Sequence, residues 1–186
     1  SMMKDRPGPQ LVEHLKKHDP LRPFIKGSQF EDDPESGDTH DYTGSITDGN
    51  SHYFDNYGKK YKLLTEFGMD MPGEVSNSCV WGFCTGAFGG VPQPTFGYTF
   101  SHMNPNLKYT FTLFASRIDC TDSRMTSFML QGKETVAGSL EAANNDCHTL
   151  VFSNVQPTPD GTIRLTAMPT NIFSFYYLNA MTIKCK

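Results

Sequence analysis

From Lys60 to the C-terminus, short apolar–polar alternations recur, and each is closed within a few residues by glycine, proline, asparagine or aspartate. An amphipathic helix needs a 3.6-residue period held over several turns, whereas a strand needs only a period of two over a handful of residues. Phe and Tyr are plentiful, at 14 and 8, and charged residues, at 19%, are sparse for a helical protein. The pattern predicts strands near 61–67, 80–83, 95–100, 109–116, 126–131, 149–155, 162–167 and 176–184. The clearest is Thr162-Ile163-Arg164-Leu165-Thr166-Ala167, which sends Ile163, Leu165 and Ala167 to one face. Tyr109-Thr110-Phe111-Thr112-Leu113-Phe114 reads as a strand with one mostly polar and one apolar flank. Pro157-Thr158-Pro159-Asp160-Gly161 and Asn104-Pro105-Asn106 are turns with a mechanism: proline presets φ, and Asn, Asp and Gly accept the tight bend. About eight short antiparallel strands close economically as two packed sheets. The expected fold class is therefore all-β, an antiparallel β-sandwich of jelly-roll type.

The chain has 186 residues, enough to bury a hydrophobic core without obligatory staples. Residues 1–27 read as an N-terminal extension or linker and 28–186 as the sandwich domain. Within the extension, Leu11–Lys17 suits a short helix stopped at Asp19-Pro20, and Leu21–Ile25 reads as extended chain, a strap over the sandwich or the tail of an upstream region. Ser1-Met2 ahead of Met3 reads as a cloning remnant, so the N-terminus carries no information on compartment. A net charge of −4, with no basic run beyond Lys16-Lys17 and Lys59-Lys60, argues against nucleic acid as a partner. No apolar stretch approaches the roughly 20 residues of a membrane span. No cofactor is expected. The acidic run Glu31–Asp38 has oxygen ligands that suit a structural calcium but lacks an EF-hand register, and a solvated acidic loop is the more common explanation. Five cysteines leave at least one thiol unpaired or paired with another chain; the plainer reading is mostly buried free thiols with at most one bridge, and Cys120–Cys147, which flank an expected strand pair, is the pairing to test first.

Catalytic motifs are not assembled in the sequence. A serine-hydrolase elbow would read Gly-x-Ser-x-Gly, and Ser116 has no such glycines. Asp119, Asp122, Glu134 and Glu141 offer carboxylates whose spacing selects no acid–base pair. Cys84 or Cys147 with His102 or His148 lacks the local signature of a thiol protease. Gly86-Ala-Phe-Gly-Gly90 lacks the lysine of a phosphate-binding loop.

The segments Tyr109–Arg117, Leu140–Asn145, Asp160–Leu165 and Tyr177–Ile183 follow one another in an order that resembles the galactose-binding-like β-sandwich modules of secreted Bacteroidetes-type proteins. Malectin-like domains have a similar final strand, and Asp48-Gly49-Asn50 with Tyr61–Gly68 suits the early part of such a fold. The resemblance covers about two thirds of the chain and rests on structural motifs, so it implies function by analogy only. It implies a non-catalytic carbohydrate-binding accessory module, secreted, periplasmic or at the cell surface, with a glycan or glycoconjugate as partner and adjacent domains beside it. Sugar C–H faces stack on aromatic rings, and hydroxyls need planar donors and acceptors. On that chemistry the candidate ligand-binding residues are Trp81, Arg117, Arg124, Asn144, Asn145, Tyr177 and Asn179. Five of them have a plainer role to set beside this one: Trp81 and Tyr177 as core anchors, Arg117 as a salt bridge at a strand end, and Asn144-Asn145 as a turn. A protein-interaction scaffold without a sugar ligand is the alternative function, and a small hydrolase with a site built from distant loops is the third.

Overall fold

A strand covered on one face alternates between buried and exposed positions, and a strand covered on both faces does not. The computed structural model describes residues 25–26, 43–48, 52–55, 78–85, 92 and 94–185. The strands are β1 (Ile25–Lys26), β2 (Thr43–Asp48), β3 (His52–Asp55), β4 (Ser78–Phe83), β5 (Phe96–Ser101), β6 (Tyr109–Phe114), β7 (Met125–Gln131), β8 (Thr135–Glu141), β9 (Leu150–Val155), β10 (Ile163–Pro169), β11 (Phe175–Leu178) and β12 (Ala180–Cys185). They form an all-β antiparallel sandwich, with no helix among the described residues. One layer is the five-stranded sheet β2-β5-β10-β7-β8. The other is the four-stranded sheet β1-β12-β6-β9, and a three-stranded sheet, β11-β4-β3, continues from it through the β11–β12 junction. From β5 onward the chain passes repeatedly between layers, as a jelly roll does.

The core lies between the layers. Phe96, Tyr98 and Phe100 of β5, Phe128 and Leu130 of β7, and Ile163, Leu165 and Ala167 of β10 meet Tyr109, Phe111 and Leu113 of β6 and Met181 and Ile183 of β12. All are at most 2% exposed, and the Phe100 and Phe111 rings meet edge-on across the layers with centroids 5.6 Å apart. Each fully buried aromatic or aliphatic side chain of this kind contributes roughly 1.5–3 kcal/mol. The expected inward set Ile163, Leu165 and Ala167 is fully buried. The β6 strand differs from expectation: Thr112 and Phe114, on its other flank, are buried too.

Two other differences have clear causes. The segment expected as one strand over 176–184 is two, because Asn179 is spent on the end of β6. Its N–H donates to Phe114 O (2.9 Å), and its Oδ1 accepts the Ser116 N–H (2.8 Å). That splice releases β11 from the four-stranded sheet and lets it pair with β4. Strand β8, absent from the sequence expectation, is an edge strand with four of its seven residues exposed and only Leu140 buried, so its apolar face is too short to read. Of the expected extended segment over 21–25 only Ile25 lies among the described residues; it pairs with Met181 and is 1% exposed. The expected helix at 11–17, the acidic loop at 31–38 and the strand at 61–67 lie outside the described residues.

Two glycines hold positions that a side chain would break. Gly82 of β4 lies opposite Tyr176 of β11, and a Cβ there would come 2.2 Å from the Tyr176 hydroxyl. Without that Cβ, the buried Tyr176 ring crosses β4 on the core side. Gly161, in the turn before β10, has φ +82°, and a Cβ there would sit 2.4 Å from the Met103 carbonyl oxygen. The Met103 N–H meanwhile donates to Gly161 O at 2.9 Å. Gly161→Ala is therefore expected to destabilise the fold by roughly 2–4 kcal/mol, read as a lowered urea midpoint at unchanged slope.

Candidate functional site

Alternation along β4 and β11 builds the site. Trp81 pairs with Tyr177 and Phe83 with Phe175, so four aromatic side chains share one face of the three-stranded sheet, opposite to Tyr176. Trp81 stacks on Phe83 at a centroid distance of 5.8 Å, Phe175 lies 6.1 Å from Trp81 and 5.5 Å from Phe83, and Tyr177 follows Phe175 at 6.3 Å. Phe83 and Tyr177 are buried, while Trp81 and Phe175 are half-buried and present ring surface to a cleft. The cleft, of about 320 Å³, is lined by Trp81, Arg117, Asp119, Cys120, Arg124, Phe175 and Tyr177.

The polar side of the cleft is the loop after β6, held in shape by backbone hydrogen bonds. The Arg117 N–H donates to Ala142 O, and the Asn144 N–H donates to Arg117 O, both at 2.8 Å. Asn144, with φ +53°, clamps the loop at two points: its Nδ2 donates to Cys120 O (2.7 Å) and its Oδ1 accepts the Cys120 N–H (3.2 Å). Asn and Asp tolerate the left-handed region, which suits both Asn144 and Asp119, at φ +56°. Glu141 ties down the far end of the loop. Burial alone would push its carboxyl up, but hydrogen bonds from the Ser123 hydroxyl and from the Ala143 and Arg124 N–H groups outweigh this and hold it below the ordinary carboxylate range.

Arg124 joins the two sides. Its guanidinium carbon sits 4.3 Å from the centroid of the Phe175 ring, its Nη1 donates to the Tyr177 hydroxyl at 2.8 Å, and its Nε pairs with Asp122 at 3.2 Å. Arg124 also lines the cleft. Arg117 donates through Nη1 to Ile118 O at 2.8 Å and also lines the cleft. The arrangement offers an apolar aromatic wall, guanidinium donors and one carboxylate acceptor, Asp119.

Titration follows burial. Tyr177 is pushed up to about 12, chiefly by burial, with the nearby Arg124 charge pulling the other way. A phenol whose folded pKa exceeds its unfolded value of 10 holds its proton more tightly when folded. Its stabilising share is thus full below pH 10 and lost as pH rises toward 12. In an ultraviolet difference titration, Tyr177→Phe is expected to remove a phenolate component near pH 12 and leave the earlier ones in place. Burial likewise pushes the Cys120 thiol up, against the opposing Arg124 and Arg117 charges, so the cleft presents a neutral thiol.

Four sequence candidates, Trp81, Arg117, Arg124 and Tyr177, come together in this cleft. Tyr177 is only 3% exposed and serves as floor more than as a stacking platform. Asn144 stands behind the cleft as the loop clamp. Asn145 and Asn179 lie elsewhere than on a polar rim: both are buried, and their side chains serve the backbone. Asn145 donates to Ala115 O and His148 O and accepts the His148 N–H, because the loop before β9 has no ladder partner for those groups. The Cys120–Cys147 bridge does not form; the Cys120 thiol faces Arg117 O and Ile118 O, at 3.4 and 3.7 Å. The four carboxylates weighed as acid–base partners have separate places: Asp119 in the cleft, Asp122 on Arg124, Glu141 in the loop clamp, and Glu134 in a polar groove with Lys108 and Lys133. Phe175 was not singled out in the sequence, although its place two residues before Tyr177 puts it on the same strand face. Among the described residues no cluster of His, Cys, Asp and Glu could hold a metal ion, and no helix is long and apolar enough to cross a membrane.

No protein-family model and no curated protein matches the sequence. Among solved structures the chain is similar to the carbohydrate-binding module TmCBM61 in complex with beta-1,4-galactotriose. Identity is 8% and the TM-score 0.37, over 59% of this chain and 72% of that one. The overlap is loose and partial, and the cleft stands on its own geometry.

Proposed function

We propose that this is a non-catalytic carbohydrate-binding domain of a secreted, periplasmic or cell-surface protein, with the aromatic cleft as its glycan site. The observation that carries the reading is the meeting of half-buried Trp81 and Phe175 rings with the Arg117 and Arg124 guanidinium groups and the Asp119 carboxylate in one concavity. A pyranose presents an apolar C–H face on one side and hydroxyls around its edge. The first matches the ring wall, and the second match planar donors beside an acceptor. Arg124 is pre-set for this task by its stack on Phe175 and its bond to Tyr177, so little freedom is lost on binding. Asp119 is the one carboxylate among the described lining residues, whereas glycoside hydrolysis uses two that flank the bond. That supports binding over catalysis.

The test is a glycan-array screen of the purified chain, with and without calcium, followed by calorimetry on each hit. Trp81 is the only tryptophan, so its fluorescence reports directly on the cleft. Hits whose titration also shifts that fluorescence support the reading. A blank across plant, host and microbial glycans, or hits that leave Trp81 silent, would transfer the assignment to a protein-interaction scaffold or to another surface.

A further inference from the structure

The loop between β10 and β11 presents the two most exposed large apolar side chains among the described residues: Ile172 at 62% and Phe173 at 77%. Their backbone is pinned. The Thr170 N–H donates to Met125 O (3.2 Å), the Phe173 N–H to Asn171 Oδ1 (2.8 Å) and the Ser174 N–H to Asn171 O (2.9 Å). The Ser174 hydroxyl donates to Ser123 O at 3.3 Å. Those anchors are the residues next to the cleft wall, since Ser123 precedes Arg124 and Ser174 precedes Phe175. This fixed apolar tip comes two to three residues before Phe175 of the cleft wall and adds exposed apolar surface next to it in the chain.

Resting on the glycan reading of the cleft, we infer that Ile172 and Phe173 form an outer subsite that receives the next ring of the same glycan, so the domain recognises a chain and not a lone sugar. The size of the two features agrees with this. The cleft, at about 320 Å³, sits at the small end of ligand pockets, which run from about 300 to 1,000 Å³. The exposed pair is far smaller than the roughly 800 Å² per partner of a stable protein interface, while one aromatic ring is enough to stack one sugar face.

The experiment is calorimetry on the wild type, Phe173→Ala and Ile172→Ala with mono-, di-, tri- and tetrasaccharide ladders of β-1,4-linked galactose, glucose and mannose. Phosphatidylcholine vesicle sedimentation is run in parallel. Phe173 is mostly in solvent, so its replacement leaves the fold intact, as near-ultraviolet circular dichroism checks. The expected result is a rise in wild-type affinity of about tenfold between mono- and trisaccharide that disappears in Phe173→Ala, with monosaccharide affinity unchanged. Equal wild-type affinity for all lengths would overturn the outer subsite while leaving the cleft assignment in place. So would a Phe173→Ala variant with the full rise, or one that loses only vesicle binding. Failure of every ladder on the wild type would remove the glycan reading and the outer subsite together.

Discussion

Trp81→Ala is expected to lower affinity for any glycan bound in the cleft by at least about thirtyfold, the effect of deleting an interface residue worth about 2 kcal/mol. Trp81 carries this weight through its position. It is half-buried, braced from behind by Phe83 and from the side by Phe175, and opposite Tyr177 in the ladder. Its ring is therefore pre-oriented, and a sugar stacking on it orders nothing new. Trp81→Phe keeps an apolar face in that place and should recover part of the affinity, whereas a purely structural role would show in the melting temperature of both variants before it showed in binding. Calorimetry against an array hit, alongside thermal denaturation, separates the two. Undiminished binding in a folded Trp81→Ala chain would move the glycan site away from the cleft.

Phe111→Ala should have the largest effect on stability, about 3–5 kcal/mol. Phe111 is fully buried in the centre of β6, pairs with Ile183 and Phe152 on either side, and meets the Phe100 ring from the opposing layer. Its removal leaves a void that neither sheet can close without disturbing its own ladder. Against a total stability of about 5–15 kcal/mol the loss is a large fraction, and at 2–4 °C per kcal/mol for a chain of this size it corresponds to a melting temperature lower by roughly 6–20 °C. Val151→Ala, on the neighbouring strand at 42% exposure, should stay within about 0.5 kcal/mol of the wild type and serves as the control. Equal losses in the two variants would contradict a core centred between the layers.

The legible parts of this protein are those in which a local pattern and a tertiary environment agree. Ile163, Leu165 and Ala167 alternate because one face of β10 is the core, and period two is visible in any strand half-covered in this way. The Pro157–Gly161 turn is equally plain: the Gly161 N–H donates to Thr158 O and the Thr158 N–H to Thr162 O, with Gly161 at positive φ. Strand β8 escaped because an edge strand exposed along most of its length, with only Leu140 buried, displays too little of a pattern. The break at Asn179 escaped because its cause lies far away in the chain, at the Ser116 N–H that Asn179 accepts. Four of the five aromatic and arginine residues of the cleft, Trp81, Arg117, Arg124 and Tyr177, were individually recognisable by chemistry. Their meeting, and the exclusion of Asn145 and Asn179 from it, was not. Sequence alone determined the strand periodicity, the turns and therefore the all-β sandwich, because these follow from forces acting over a few residues. Only the tertiary structure decided which polar groups line the cleft, because Arg124 reaches Tyr177 across 53 residues, and the pairing of β4 with β11 places Tyr177 beside Trp81.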